Sequence, residues 1–240
     1  MEHWSQALRF ALFELKASKW KFIFVVIFSI FMGFSFVFSM PEYLKRPFFV
    51  SDVLFILLFS AMTVWLRASA FQLKGKGENF YSPTVVLLKQ LPITSSVIAK
   101  SRFIVYFAYA IPMQSIILIT MYIFTPALQD VLPMESFINF CIIWFAFSVY
   151  VGGIFAASDA GTNEASPMKT FIYITSMIII GAIILYLIYA IFNTGIIMLT
   201  IRFANNWPLL SIIISVLLAV IGYFYWYNEM KKMLRGTDYY

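Results

Sequence analysis

The residue types that most often carry out chemistry in proteins are few in this chain, and they lie outside its long apolar stretches. The one histidine, His3, precedes the first stretch, so neither a histidine zinc motif nor a serine–histidine pair inside a membrane can form. The Asp and Glu residues all fall outside the stretches or at their ends. No glycine-rich phosphate loop followed by Lys-Ser or Lys-Thr occurs. We therefore expect no enzyme, no metal site and no cofactor bound by this chain.

The apolar stretches also lack the groups that couple ions to transport. Carriers driven by protons or sodium usually place an ionisable side chain near the membrane midplane, where burial is costly and marks function. Here the charged residues Asp52 and Arg67 lie near the ends of the second stretch, and the polar side chains deeper in the stretches, such as Gln114 and Ser148, are uncharged and typical of hydrogen bonds between helices. A transporter with this sequence needs an external source of energy.

Composition indicates that a bilayer surrounds most of the chain. Hydrophobic residues make up 62% of the 240 positions and charged residues only 12%, which is too little polar surface for a water-soluble globule. Stretches of about 20 apolar residues, the length that crosses a bilayer, occur six times. The fold class that this predicts is an all-α membrane protein with six transmembrane helices, forming one domain over residues 1–240. The six stretches lie near Phe22–Met40, Val50–Phe71, Phe103–Phe124, Phe137–Ala157, Thr170–Phe192 and Pro208–Tyr227.

The positions of Lys and Arg predict the orientation of these helices. With the N-terminus inside, only Lys45, Arg46 and Arg202 of the 17 basic residues fall on the outer side. Since cytoplasmic loops accumulate Lys and Arg, both termini are expected in the cytoplasm. The basic residues are spread along helix ends instead of forming one patch, so they favour contact with anionic lipid over nucleic-acid binding. We expect a multi-pass protein of the bacterial inner membrane.

Two segments outside the predicted spans have the pattern of helices that lie at a membrane surface. Residues 1–21 place apolar side chains, Trp4 and Leu8 among them, on one side of a helical wheel and polar side chains opposite. The outer segment Asn193–Trp207 is too apolar for a solvated loop and too short to span. It is predicted to form an interfacial or re-entrant helix.

The long cytoplasmic loop, residues 72–102, contains a predicted short helix. Ser82-Pro83 is typical of a helix start and Leu91-Pro92 of a helix end, so a helix is expected over Pro83–Gln90. Its apolar residues favour docking of a partner. The other interpretation is a loop that packs on its own bundle.

In its order of elements the chain resembles a type-2 permease of the ATP-binding-cassette exporters. The resemblance depends on the N-terminal interfacial helix, the loop with its short helix and Leu91-Pro92-Ile93-Thr94 before Lys100, and the apolar outer segment. It implies that residues 1–21 are a connecting helix, Pro83–Gln90 a coupling helix and residues 193–207 outer re-entrant helices. The implied ATPase-docking residues are Pro83, Val85, Val86, Leu87, Leu88 and Gln90.

The same resemblance implies partners. Two permease copies, identical or paralogous, pair through helices one and five, and each docks a separate ATPase subunit that binds ATP and Mg. A hydrophobic or amphipathic cargo such as a peptide, lipid or drug suits an uncharged seam rich in phenylalanine. The alternative is a non-transporting membrane scaffold or immunity protein. Cargo identity, direction of transport and the choice between homodimer and heterodimer stay open. The implied seam residues are Phe24, Phe28, Phe31, Gly33, Phe34, Gly181, Ala182 and Tyr186.

Overall fold

The computed structural model of the chain is almost wholly α-helical and describes residues 2–61, 66–68, 71–72, 74–76, 79–161 and 167–236. One short antiparallel hairpin joins β1 (Lys74–Lys76) to β2 (Asn79–Tyr81). The helices are α1 (Glu2–Ala17), α2 (Lys19–Lys45), α3 (Phe49–Ser60), α4 (Pro83–Lys89), α5 (Ser95–Ile123), α6 (Pro126–Val131), α7 (Met134–Tyr150), α8 (Gly153–Ser158), α9 (Pro167–Phe192), α10 (Ile196–Asn206) and α11 (Pro208–Gly236).

Four helical stretches within the described residues are long and apolar enough to cross a membrane. They are α2, α5, α11 and the stretch Met134–Ser158, which joins α7 and α8. A fifth forms if the end of α9 and α10, which meet at an angle of 57°, count as one broken span. This set is typical of a multi-pass membrane protein, as the sequence predicts.

The second predicted span is shorter than expected. Within Val50–Phe71, α3 ends at Ser60, and residues 66–68 lie in a turn and bend. At about 1.5 Å per residue, twelve helical residues reach roughly 18 Å, against about 30 Å of hydrocarbon. The described part of this stretch is therefore not one continuous helix, and Arg67, outside α3, binds carboxylates of two other segments. Residues 62–65 and 69–70 of this span lie outside the described residues.

Aromatic and polar contacts hold the long helices together. The ring of Phe55 on α3 lies 4.5 Å from the rings of both Phe59 and Trp144. Gln114 on α5 donates through its side-chain nitrogen to the hydroxyl of Ser148 on α7 at 2.7 Å and to the carbonyl of Phe59 at 3.2 Å. The polar side chains inside these spans therefore connect neighbouring helices, as expected from the sequence.

Gly33 brings α2 close to α5, and a side chain at this position should destabilise the bundle. A Cβ atom on Gly33 would lie 2.8 Å from Cβ of Thr120, a stiff β-branched residue. We expect Gly33→Ala to lower the thermal midpoint of the detergent-purified protein, at a cost of roughly 1–3 kcal/mol from overpacking.

Gly181→Ala is the matched control for Gly33→Ala, because an added Cβ there would have no atom within 4 Å. Alanine favours a helix over glycine, so Gly181→Ala should keep or raise the midpoint. An equal fall for both variants would contradict the close approach at Gly33.

Candidate docking surface and its support

Proline residues set the limits of the short helix α4. Ser82 has extended backbone angles and Pro83 occupies the first helical position, where a missing N–H has no cost. The helix ends at Lys89, and Gln90 donates its backbone N–H to the carbonyls of Leu87 and Leu88. The predicted helix is therefore present and is one residue shorter than expected.

The two faces of α4 have different surroundings. Val85 and Leu88, three residues apart, are buried, whereas Leu87 is 56% exposed. Val85 and Leu88 belong to one buried cluster with residues of α5, α8 and α11, which we call the α4 platform. The residues of this cluster that lie on α5, α8 and α11 include Ile98, Ala99, Phe103, Ala156, Ala157, Met230 and Leu234.

This division corrects the predicted docking set. Val85 and Leu88 pack against their own chain, as in the interpretation of a loop folded on its bundle, so they do not present a free surface. Leu87, Gln90 and Leu91 are exposed, and Pro83 and Val86 are half-buried. We call Leu87, Gln90 and Leu91 the docking surface.

Four charged side chains form a buried group beside the α4 platform, which we call the charge cluster. Arg67 donates from Nη1 to both carboxylate oxygens of Asp159, at 2.9 and 2.8 Å, and from Nη2 to Glu14 at 2.9 Å. Arg102 donates from Nη1 to the other oxygen of Glu14 and lies 3.8 Å from Asp159. Glu14 of α1, Arg67, Arg102 of α5 and Asp159 after α8 are all buried.

The charges of this cluster balance, which makes its burial tolerable. An isolated buried ion is costly, whereas paired and hydrogen-bonded ions are retained. Arg67 contacts both Asp159 and Glu14, so its buried guanidinium is paired with two carboxylates. Nη2 of Arg102 is buried without a hydrogen-bond partner among the described residues, so this arginine depends on Glu14.

The cluster lies on the same elements that support α4. Arg102 is one helical turn beyond Ile98, and Asp159 closely follows Ala157; both Ile98 and Ala157 belong to the α4 platform. Glu14 connects these elements to α1. The docking surface is therefore supported by α5 and α8, which the charge cluster binds to the N-terminal helix.

Helix α1 packs on α5 through small residues. Ala7 and Ala11 are buried, which allows a close approach, and Glu14 follows on the same face. Nζ of Lys100 lies 4.5 Å from the ring of Trp4, a cation–π contact between α5 and α1. Leu8 and Leu12 stay exposed on another side. This helix has one face on the bundle and an apolar face free, as an interfacial helix requires.

The predicted seam residues are mostly exposed, with one clear exception. Phe24, Phe31, Ala182 and Tyr186 are exposed, and Gly181 has open space beside it. Gly33 is buried against Thr120 of the same chain. Of the two remaining seam residues, Phe28 is partly buried against the core, and Phe34 is exposed and contacts Phe124.

Sequence reasoning missed the buried carboxylates. The sequence places Glu14 and Asp159 outside the predicted spans and Asp52 near the end of one, yet each is at most 2% exposed. One signal for Glu14 was available, because it continues the Ala7 and Ala11 stripe at helical spacing. No comparable local pattern marks Asp52 or Asp159, since their partners are far away in sequence.

No family model, curated protein or solved structure matches this chain.

Proposed function

We propose that this chain is the membrane-spanning permease subunit of an ATP-driven exporter that moves a hydrophobic or amphipathic cargo. In this proposal a separate ATPase subunit binds ATP and Mg, and a second permease copy or paralogue completes the pathway. The chain crosses the bacterial inner membrane six times, with both termini in the cytoplasm and the Val50–Phe71 stretch as its second crossing.

The observation that carries the proposal is the geometry of α4. Leu87 is exposed on a short helix, and Leu91 is exposed just after its end, while Val85 and Leu88 of that helix are buried in a cluster with residues of three other helical elements. Exposed apolar side chains beside a packed support are candidates for contact with a protein partner. The proline residues at both ends limit bending of the segment.

This support suits the transfer of movement from a partner to the membrane helices. Val85 and Leu88 belong to the same buried cluster as residues at the start of α5 and near the end of α11, so we expect a displacement of α4 to disturb that cluster. The charge cluster joins the same part of α5 to α1 and to Arg67. Packed interiors transmit such displacement because they are dense and little compressible.

The exposed phenylalanines of α2 support the proposed seam between permease copies. Phe24 and Phe31 are both more than half exposed and seven residues apart on one helix, so they share a face. Gly33 is not part of this seam, because it already contacts α5. On α9, Ala182 and Tyr186 are four residues apart and also exposed.

The proposed topology predicts which face each loop occupies. In a variant in which Cys141 is replaced by serine, a cysteine at Gly75 should react with a membrane-impermeant maleimide only from the cytoplasmic side. A cysteine at Gln129 should react only from outside. The basic residues concentrated on the cytoplasmic side motivate this expectation. Labelling of both positions from one face would contradict the six-span arrangement.

The proposed energy source is tested on the assembled complex. A complex purified through a tag on this chain should hydrolyse ATP in proteoliposomes, and ionophores that collapse proton or sodium gradients should not change the rate. The predicted spans offer no histidine, lysine or carboxylate near the midplane to couple an ion. A chain that purifies without any ATPase activity would favour the membrane scaffold or immunity protein instead.

A further inference from the structure

At the opposite end of α2 from the charge cluster, one buried carboxylate joins four helices. Asp52, in the first turn of α3, is fully buried. Its Oδ1 accepts hydrogen bonds from the hydroxyl of Tyr43 at 2.6 Å and from the backbone N–H of Ile197 at 3.0 Å. Its Oδ2 accepts the hydroxyl of Tyr189. Tyr43 belongs to α2, Tyr189 to α9 and Ile197 to α10.

Asp52 supplies the N-terminal cap that α10 lacks. The cap position of α10 is Gly195, which has no side chain to offer, and Ile197 is the second helical residue. A Cβ atom on Gly195 would lie 2.2 Å from both Oδ2 of Asp52 and the hydroxyl of Tyr43. Only glycine therefore allows the corner between α9 and α10 to sit on the carboxylate.

Helix α10 is held to the bundle by many contacts besides Asp52. Its residues Ile197, Ile201 and Ala204 are buried. The indole N–H of Trp144 on α7 donates to the hydroxyl of Thr200 at 3.3 Å. Helix α10 therefore stays attached to α7 whether or not α9 does.

Over residues 179–192, helix α9 has fewer buried side chains than the shorter helix α10. Among the α9 side chains whose surroundings the structure describes, Leu185 alone is buried. Tyr189 makes the polar contact that ties the outer end of this helix to α3. Between α9 and α10 the chain turns at Asn193, which has a φ of 48° in the left-handed region, and bends by 57°. The corner of residues 193–195 is a natural hinge.

We propose that the hydrogen bond from Tyr189 to Asp52 is a clasp that positions α9, and that α9 pivots about residues 193–195 when it opens. Oδ1 of Asp52 keeps Tyr43 and Ile197 when Tyr189 leaves, so α10 remains capped and in place. Asp52 and Tyr189 are thus positioning residues for α9. Loss of one hydrogen bond to a charged group shifts the equilibrium between the held and the open position of α9 roughly tenfold or more.

Opening of the clasp would change the outer end of the proposed transport pathway. Helix α9 carries the seam residues Gly181, Ala182 and Tyr186, so its pivoting changes the surface that faces the second permease copy. This consequence depends on the proposed function. The clasp itself does not, because it is defined by contacts within one chain.

Distances between spin labels test the clasp directly. In a Cys141→Ser background, one pair of nitroxides is placed at Ile183 on α9 and Ile138 on α7, and a reference pair at Arg202 on α10 and Ile138. All three positions are exposed. Pulsed electron spin resonance is measured in lipid nanodiscs, with labelled chains diluted by unlabelled chains so that distances within one chain dominate.

In Tyr189→Phe, the Ile183 pair should show a second distance. The population with this second distance should be about tenfold or more larger than in the native protein. The reference pair should not change. Tyr186→Phe, which removes an exposed hydroxyl from the same helix, should match the native protein. Asp52→Asn keeps an oxygen that can cap α10 but removes the charge that binds Tyr189, so it should broaden the Ile183 pair and leave the reference pair unchanged.

An unchanged Ile183 pair in Tyr189→Phe would overturn the clasp. Equal broadening of the two pairs in that variant would overturn the hinge at residues 193–195. Neither distance measurement requires ATP or a partner subunit. Failure of the clasp is therefore distinguishable from failure of the proposed export function, which the ATPase measurement on the complex addresses.

Discussion

Replacing Arg102 with methionine should remove most of the folded protein from the membrane. The substitution leaves the charge cluster with one positive charge, that of Arg67, for the two buried carboxylates of Glu14 and Asp159. Removing one partner of a buried ion pair typically costs about 3–5 kcal/mol, a large part of a typical domain's 5–15 kcal/mol. The measurement is the thermal midpoint of the monodisperse peak in fluorescence-detected size-exclusion chromatography.

The paired variant Glu14→Gln plus Arg102→Met is the control for this effect. It removes one positive and one negative charge together and leaves Arg67 bound to Asp159 through two hydrogen bonds. Since replacement of a whole buried pair is often close to neutral, the double variant should recover much of the midpoint lost by Arg102→Met. A double variant no more stable than Arg102→Met would show that the cluster is not an interacting unit.

In the proposed exporter, truncation of Leu87 and Leu91 to alanine should release the ATPase subunit from this chain while leaving this chain folded. Both side chains are about half exposed and lie outside the α4 platform. A central anchor of an interface typically contributes about 2 kcal/mol or more, and 2 kcal/mol corresponds to roughly a 30-fold change in dissociation constant. The measurement is the ratio of ATPase to permease after affinity purification at equal membrane expression.

Two comparisons make this result specific. Leu209→Ala plus Leu210→Ala removes two exposed leucines from the start of α11 and should leave the ratio unchanged. Leu88→Ala should instead reduce permease stability by about 2–5 kcal/mol, because Leu88 is buried in the platform. Normal assembly and normal cargo-stimulated hydrolysis in the Leu87 and Leu91 variant would show that α4 is not the docking element.

The sequence alone was sufficient for the features that depend on local chemistry. Long apolar stretches predict membrane helices because lipid cannot satisfy backbone hydrogen bonds, and α2, α5, α7 with α8, and α11 follow them closely. The limits of α4 follow from Pro83 and Pro92, whose rings restrict the backbone wherever they occur.

Tertiary structure decided which residues of these elements meet. Arg67 is 53 residues from Glu14 and 92 from Asp159, and Asp52 is 145 from Ile197, so no local periodicity reports their contacts. Sequence also does not show which residues of α4 are buried, because Val85, Leu87 and Leu88 are all apolar. Only the positions of α5, α8 and α11 determine that Val85 and Leu88 are buried and that Leu87 is free for a partner, because burial depends on what lies opposite a side chain and not on its type.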